Sequence, residues 1–484
     1  MFLGIDIGTS EVKALLLDEG HRVVGSSAAA LNISRPHPGH VEQSPHDWWA
    51  ATVKVLGCLR QDHGREYATV RAIGLSGQMH GAVLLDANDH VLRPAILWND
   101  SRAASQCAEL LTAYPGWPDM AGSLPMPGFT APKLRWVAQH EPALFARIAK
   151  VLLPKDYVRW MLTGEHATDM SDASGTLWLD VARRCWSDVL LECTGLTSRH
   201  MPRLVEGSDA AGSIRADVAR ELGLPQGTLV AGGAGDNAAS AVGMGAVEPG
   251  QGFVSLGTSG VLFVVTAGYQ ANPQSGTHAF CHALPGRWHQ MSVMLSAASA
   301  LQWLKGVLGA PSEAALIATA AALSLEQRAA APLFLPYLAG ERTPHNDPDV
   351  RGSFHGLGFD TDAGALAYSV MEGVAFGLCD GLAALRAPGV FIPILSLVGG
   401  GSRSALWAQM LSSALDTLIV THASGSLGGA LGAARLAWLS AGADLDSVCR
   451  PPEPEAMFSP QARERDMLLP RYRRFQALYP REIR

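Results

Sequence analysis

The feature that most constrains this chain is a small hairpin written twice. Residues 4 to 18 read GIDIGTSEVKALLLD, and residues 253 to 266 read FVSLGTSGVLFVVT. Each copy is an apolar stretch, then Gly-Thr-Ser, then another apolar stretch. That pattern predicts strand, turn, strand, with the glycine supplying a positive φ. Two copies, each opening one half of the chain, predict a duplicated architecture with the ligand in the cleft between halves. Backbone N–H groups in such turns form anion nests, and a Thr or Ser hydroxyl adds a donor. Two facing hairpins suit a polyphosphate. Asp6, two residues before the first Gly-Thr-Ser, would repel a phosphate unless a cation lay between them. Mg²⁺ fits, because it prefers oxygen ligands and retains waters. A plain tight turn with a turn-stabilising Asp6 is the competing reading.

Composition narrows the class. A chain of 484 residues is long enough for two to four domains. The net charge of −7 and a pI near 6.1 argue against a general nucleic-acid binder. No uninterrupted apolar run approaches the roughly 18 to 20 residues of a membrane span, and MFLGIDIG lacks the basic start of a signal peptide. The seven cysteines are scattered without a CxxC, which predicts reduced thiols and a cytoplasmic protein.

The first half is expected to continue from its hairpin into a third strand at HRVVGSSAAAL. A helix then starts at Ser44 as N-cap, with Pro45 first and Asp47 at N3. Trp49, Val53 and Leu56 are expected on one helical stripe. AIGLSGQMHGAVLLD reads as strand, Gly-rich loop, strand, and APKLRWVAQHEPALFARI as helix. TLVAGGAGDNAASAVGMG reads as a buried strand, a turn and a small-residue helix that closes the half near residue 245. In the second half, helices are expected at 291–308, 312–330 and 362–386. ILSLVGGGSRSALWAQMLSSAL then gives strand, Gly-rich turn, helix, and a small-residue helix starts at Gly425. The tail after Pro451 is expected to form a basic, solvated helix or two.

Two Gly-rich turns carry chemistry. In GGAGDNAAS, residues 232 to 240, Asp236 is expected at the N-terminus of a helix that follows a buried strand, in the crevice where α/β proteins bind ligands. The helix dipole helps a carboxylate there stay ionised. It could take a proton from a substrate hydroxyl, or serve only as a cap. Gly233, Gly235 and Ala238 match a relaxed dinucleotide fingerprint, but no acid follows at a strand end about 20 residues on. VGGGSRS, residues 398 to 404, lets bare backbone approach a flat ligand such as adenosine. No GxxxxGK[ST] occurs, so an ATP site here is not a P-loop.

These residues resemble the FGGY carbohydrate kinases, named for a Phe-Gly-Gly-Tyr motif, within the actin-like and hexokinase-like ATPase superfamily. The resemblance runs over essentially the whole chain. It is carried by GIDIGTSEVK, SGQMHGAVLLD, RPAILWNDSRA, GFTAPKLRWVAQHEP, LLPKDYVRWMLTGE, SDASGTLWLD, AGGAGDNAASAVG, SLGTSGV, FLPYLAGERTPHNDP and LVGGGSRSALWAQML. FTAPKLRWVAQH fits the family's first signature. GSFHGLGFDTDAGALAYSVME fits the second, except that Ala365 stands where a polar or acidic residue is usual.

The resemblance implies an α/β fold of two ribonuclease H-like domains with a cleft between them. Residues 1–245 would form the sugar and phosphate side, 246–440 the nucleotide side, and 441–484 a helical tail on the second domain. It implies ATP and Mg²⁺, D-xylulose as the sugar, and a homodimer. Asp236 matches the family's proton acceptor, and Asp6 matches the acid near metal and phosphates. Gly8, Thr9 and Ser10, with Gly257 and Thr258, match the phosphate hairpins. Gly400, Gly401 and Ser404 match the adenosine turn. Met79 and His80 match the sugar-binding pair. Trp98, Asn99, Asp100 and Asn237 line the sugar pocket by the same analogy. A sibling kinase for ribulose, another ketose or glycerol is the nearest alternative. An actin-like ATP-binding module that phosphorylates nothing is a second, and a dinucleotide oxidoreductase a third.

Overall fold

The computed structural model of the chain describes residues 1–422 and 428–479. Two mixed β-sheets dominate it, and they correspond strand for strand. The first runs Ala210–Ser213, Leu229–Ala231, Ala72–Gly77, Phe2–Ile7, Glu11–Leu17, Val23–Ala30. The second runs Pro454–Phe458, Leu418–His422, Ile394–Val398, Gly252–Leu256, Gly260–Thr266, Trp288–Met294, with His278–Cys281 added at its edge. In each, the Gly-Thr-Ser hairpin is antiparallel and extends to a third antiparallel strand. On its other side the first hairpin strand has a parallel neighbour, which has another. The last strand turns antiparallel. The duplication expected from the two hairpins therefore extends through whole sheets.

The halves meet through two small-residue helices, Asp236–Met244 and Gly428–Ser440. A Cβ at Gly432 would fall 1.7 Å from the Ala239 carbonyl oxygen, and one at Gly243 would fall 2.4 Å from the Gly428 oxygen. The Gly428–Ser440 helix also lies on the first sheet. There Cβ atoms at Gly4 and Gly74 would fall 2.0 and 1.8 Å from the carbonyl oxygens of Ala430 and Ala433. These glycines are required by close backbone approach. A helix encoded late in the chain thus covers the sheet encoded first.

Several local expectations are corrected. Gly8 and Gly257 do not adopt positive φ. At Gly8 the constraint is contact, since a Cβ would lie 2.9 Å from the Glu11 oxygen. Ser44 is the N-cap of Pro45–Asp62, but its side chain makes no capping bond. The buried face of that helix is Trp48, Thr52, Val55 and Leu59, with Leu56 beside it. Trp49 and Val53 are only half-buried at its flank. Residues 291–294 are the end of strand Trp288–Met294, paired along Gly260–Thr266, and the helix begins at Ala298. The 312–330 stretch divides into Glu313–Ala321 and Leu325–Ala330. The small-residue helix is described from Gly428, so its expected start at Gly425 lies outside the described residues.

The tail helix, Ala462–Gln476, is a solvated packing helix as expected, mostly exposed, with Glu464, Leu468, Arg471 and Phe475 buried against the second half. Arg471 is buried and makes two 2.6 Å bonds to the Glu372 carboxylate. Glu372 lies in Ala363–Arg386, long and apolar enough to cross a membrane but built into the core of the second half. That helix carries Ala365, half-buried against the core.

Candidate active site

Both hairpin tips, Asp6, Asp236 and the Met79–His80 loop come from the ends of the central strands. Strand Phe2–Ile7 runs parallel to Ala72–Gly77 and pairs Asp6 with Ser76. The short strand Ala234–Gly235 joins the far side of the same strand, pairing Gly235 with Gly77. Asp6, the loop after Gly77, and Asp236 are thereby set side by side.

Asp236 opens the Asp236–Met244 helix. Its Oδ1 accepts the Asn237 backbone N–H at 2.7 Å and the Asn237 side-chain amide at 3.0 Å. Its Oδ2 has no hydrogen bond among the described residues. Burial pushes this carboxyl up to about 6, and the Asp6 carboxylate adds to the effect. Asp6 is also held above the usual carboxylate range, by burial first, against the pull of Ser76 and Lys13. Its Oδ1 is buried without a partner. Gly429, at the start of the Gly428–Ser440 helix, presses on this carboxylate, and a Cβ there would lie 2.9 Å from Oδ2.

Met79 packs on the residue before the base, where a Cβ at Gly235 would lie 2.9 Å from its Sδ. His80 has φ +69. Its Nδ1 sits 2.7 Å from the Gly175 carbonyl oxygen, so Nδ1 carries the proton and donates. Burial pushes its pKa down to about 3, leaving a neutral ring whose Nε2 is an acceptor. Phe129 meets the ring edge-on at 4.2 Å, and His278 of the second half meets Phe129 in turn.

The Trp98 indole N–H donates to Thr9 Oγ1 at 3.0 Å, and the Thr9 hydroxyl donates to Gln78 Oε1 at 3.0 Å. The Gln78 amide donates to Gln43 Oε1 at 2.9 Å, and the Trp48 indole donates to the same oxygen at 3.0 Å. Gln43 also donates to the Thr9 carbonyl at 2.7 Å. The first hairpin tip is thus fastened to the sugar-side loop. The Thr9 and Ser10 N–H groups make no backbone bonds among the described residues, and they are the donors left for an anion. The second tip differs. Thr258 is exposed and its hydroxyl makes no hydrogen bond among the described residues, while its carbonyl holds Ala297 N–H and the Ser299 hydroxyl.

A cavity of about 700 Å³ adjoins this second tip, lined by Gly257, Thr258, Gly400, Gly401, Ser404 and Gln302 among others. Ser404 uses its hydroxyl oxygen as the N-cap of Ala405–Leu415, accepting from Trp407 N–H at 3.2 Å. The capping bond uses one lone pair, so the Ser404 O–H proton remains for a ligand in this wall.

Two residues expected at the sugar sit differently. Both Asp100 oxygens are engaged, by Val41 N–H at 2.6 Å and by Arg102 at 2.7 to 3.0 Å, and the carboxylate is buried. It braces the loop. Asn99 is exposed beside it, while Trp98 is half-exposed at the cleft. Sequence reasoning missed Gln43, Gln78 and Phe129, and also Lys133. This fully buried lysine donates to the His80 and Ile96 carbonyls at 3.0 and 3.1 Å, clamping both sugar-side segments. Burial holds its pKa well below the ordinary lysine value. A lysine inside FTAPKLRW was the available signal.

Two copies of one α/β unit, each aiming a hairpin at a cleft that holds two buried carboxylates, define a phosphotransferase of the actin-like, sugar-kinase architecture. The FGGY carbohydrate-kinase N-terminal domain model matches residues 1–243 and its C-terminal domain model matches residues 252–441. The chain belongs to the FGGY family of carbohydrate kinases. It is 48% identical over 481 residues to the xylulose kinase of Escherichia coli K12, covering 99% of this chain and 98% of that one. It also superposes on solved structures. One is a xyloylose kinase from Brucella ovis, with TM-score 0.96 and 51% identity over 99% of this chain and 98% of that one. Another is the xylulose kinase from Rhodospirillum rubrum, with TM-score 0.93 and 30% identity over 100% of both.

Proposed function

We propose that this chain transfers the γ-phosphoryl group of ATP to the C5 hydroxyl of D-xylulose, giving ADP and D-xylulose 5-phosphate. The observation that carries this is Asp236. It is a recessed carboxylate with Oδ1 fixed by Asn237 and Oδ2 free, between Met79 on one side and Asp6 on the other. A general base works best with a pKa near the working pH, and such a group contributes roughly 10²–10⁴-fold.

Asp236 Oδ2 takes the proton of the C5 hydroxyl as that oxygen attacks the γ-phosphorus in line. His80 Nε2 accepts from a second sugar hydroxyl, Asn237 lies within reach of the sugar, and the Trp98 indole provides an apolar wall. Asn99 and Asp100 support this wall from the loop. The N–H groups of Thr9 and Ser10 face the phosphates from one half, with Gly8 setting the turn, and the Thr258 hydroxyl faces them from the other, beside Gly257. Gly400 and Gly401 lie under adenosine, with Ser404 in the wall. Positioning and electrostatics dominate phosphoryl transfer, so the protein needs little covalent chemistry.

The orphaned Oδ1 of Asp6 and its proximity to Asp236 suit a hard divalent cation. No group of three or more metal-ligating side chains occurs among the described residues. Asp6 and Asp236 would therefore hold Mg²⁺ with water and phosphate oxygens. When bound, that ion neutralises charge on the phosphoryl oxygens.

We assign residues 1–245 to the sugar and phosphate side, 246–440 to the nucleotide side and 441–484 to the tail, which is not wholly helical because Pro454–Phe458 adds a strand to the second sheet. The free state of all seven cysteines supports a cytoplasmic location, and a homodimer is carried over from the family. ADP release with Mg-ATP is the test, using D-xylulose, D-ribulose, L-ribulose, L-xylulose and glycerol on wild type and Asp236→Ala. Turnover chiefly with D-xylulose, lost in the variant, supports both substrate and base. Preference for another sugar overturns the substrate, and equal ADP release without sugar overturns the kinase reading.

A further inference from the structure

The stretch LLPKDYVRW…ATDMSDASGT carries five ionisable side chains with no direct part in the chemistry above. Lys155, Asp156, Arg159, Asp169 and Asp172 are all fully buried. The Lys155 Nζ lies 2.6 Å from Asp156, 2.8 Å from Asp169 and 3.0 Å from Asp172. Arg159 lies 2.9 Å from Asp156. Burial raises Asp172 above the ordinary carboxylate range, against the pull of the Lys155 ammonium beside it. Burying such a group rarely adds stability over apolar packing.

The cluster ends on both sides of the loop that carries Asp236. The Arg159 guanidinium donates to the Gly232 carbonyl and, at 2.6 Å, to the Ala167 carbonyl. Asp169 is the N-cap of Met170–Ser174 and accepts the Ser171 hydroxyl at 2.5 Å and its N–H at 2.8 Å. The Ser171 oxygen then accepts the N–H of Gly235, the residue before the base, at 3.1 Å. The same segment reaches two other parts of the site. Gly175 holds His80 through its carbonyl, and the Ser174 hydroxyl accepts the Cys281 N–H from the second half.

We propose that Ser171 is a positioning residue for Asp236, transmitting the rigidity of the buried Lys155–Asp169 cluster through the Gly235 N–H to the base. With one proton and one acceptor site committed, the serine fixes the direction of the Gly235 peptide. That peptide sets where the first residue of the helix points. Misplacement of a reacting group by about 1 Å costs on the order of 10²-fold. The inference rests on Asp236 being the base, and the experiment separates the two.

The test measures steady-state kinetics and thermal melting of Ser171→Ala, Ser171→Cys, Ser171→Thr and Asp236→Asn, with Mg-ATP and the preferred sugar. The expected result is a kcat loss of at least about 10-fold in Ser171→Ala. KM for ATP stays within about twofold, because no nucleotide contact changes. Ser171→Cys, which keeps a side chain but weakens the acceptor, loses kcat in the same direction and serves if Ser171→Ala does not fold. Ser171→Thr retains the hydroxyl and recovers more kcat than either. A folded Ser171→Ala or Ser171→Cys with kcat within about twofold of wild type overturns the proposal while Asp236→Asn is inactive. An active Asp236→Asn overturns the base reading itself.

Discussion

The Trp98 indole N–H donates to the same Thr9 hydroxyl that donates to Gln78 across 3.0 Å. The two Gly-Thr-Ser turns are therefore alike in sequence and unlike in use. Thr9 has no proton left for a phosphate while these bonds hold, whereas Thr258 is exposed and its hydroxyl has no partner among the described residues. Thr258→Val should raise KM for ATP, by about 10- to 100-fold for one lost hydrogen bond to a charged group, and leave KM for the sugar unchanged. Thr9→Val should change KM for both substrates, because it releases Gln78 and Trp98 together. Substrate-saturation curves for both variants check this.

The raised pKa of Asp236, about 6, sets an acid limit on activity. A base must be ionised to accept a proton, so kcat/KM should fall tenfold per pH unit below about 6 and level off above it. His80, pushed down to about 3 by burial, stays neutral through this range and contributes no second limb. The profile of kcat/KM for the sugar between pH 5 and 8 is the measurement. An inflection absent from this range would place the base elsewhere.

His80 is expected to bind sugar through Nε2 while Nδ1 is held by Gly175. His80→Phe keeps ring volume against Phe129 and removes both nitrogens. It should raise KM for the sugar by roughly 10- to 100-fold, the cost of an unpaired polar group, and change KM for ATP less than about twofold.

A buried ion pair helps to hold the tail, beside the packing of Leu468 and Phe475. Arg471 is enclosed with Glu372, and burial raises Glu372 to about 7 even with the guanidinium beside it. Arg471→Ala leaves that carboxyl without its partner and should destabilise the protein by about 3–5 kcal/mol. Replacing the pair together, Arg471→Met with Glu372→Leu, should recover much of the loss. Chemical denaturation of the three proteins separates these outcomes.

Both hairpins, the strand before Asp236 and its small-residue helix were legible in the sequence because their patterns are local. Alternation of period two, a Gly-rich break and a run of small residues each lie within a few positions. Locality also misled. Met291 to Met294 resembles the helix that follows, yet pairing with Gly260–Thr266 draws it into a strand. The apolar pattern put Trp49, Val53 and Leu56 on one stripe of the first long helix, but not which stripe the sheet would bury, and sheet contact chose Trp48, Thr52, Val55 and Leu59. The tail's many arginines signalled a solvated packing helix, and most of them are exposed, but which one turns inward was not legible: Arg471 pairs with Glu372, almost a hundred residues earlier.

By itself the sequence determined the duplicated hairpins, the chemical types at their tips and the carboxylate that opens a helix after a buried strand. The tertiary structure alone decided which partners those groups keep. Gln78 reaches Gln43 and Thr9, Lys133 reaches His80 and Ile96, and Ser171 reaches Gly235 across 64 positions. Periodicity records which side of an element is apolar. It holds no record of which distant element fills that side, because that is settled by packing over the whole fold. The same physics explains Gly4, Gly74, Gly243 and Gly432. Nothing near them in the chain demands glycine, and only the arrival of another backbone within van der Waals distance does.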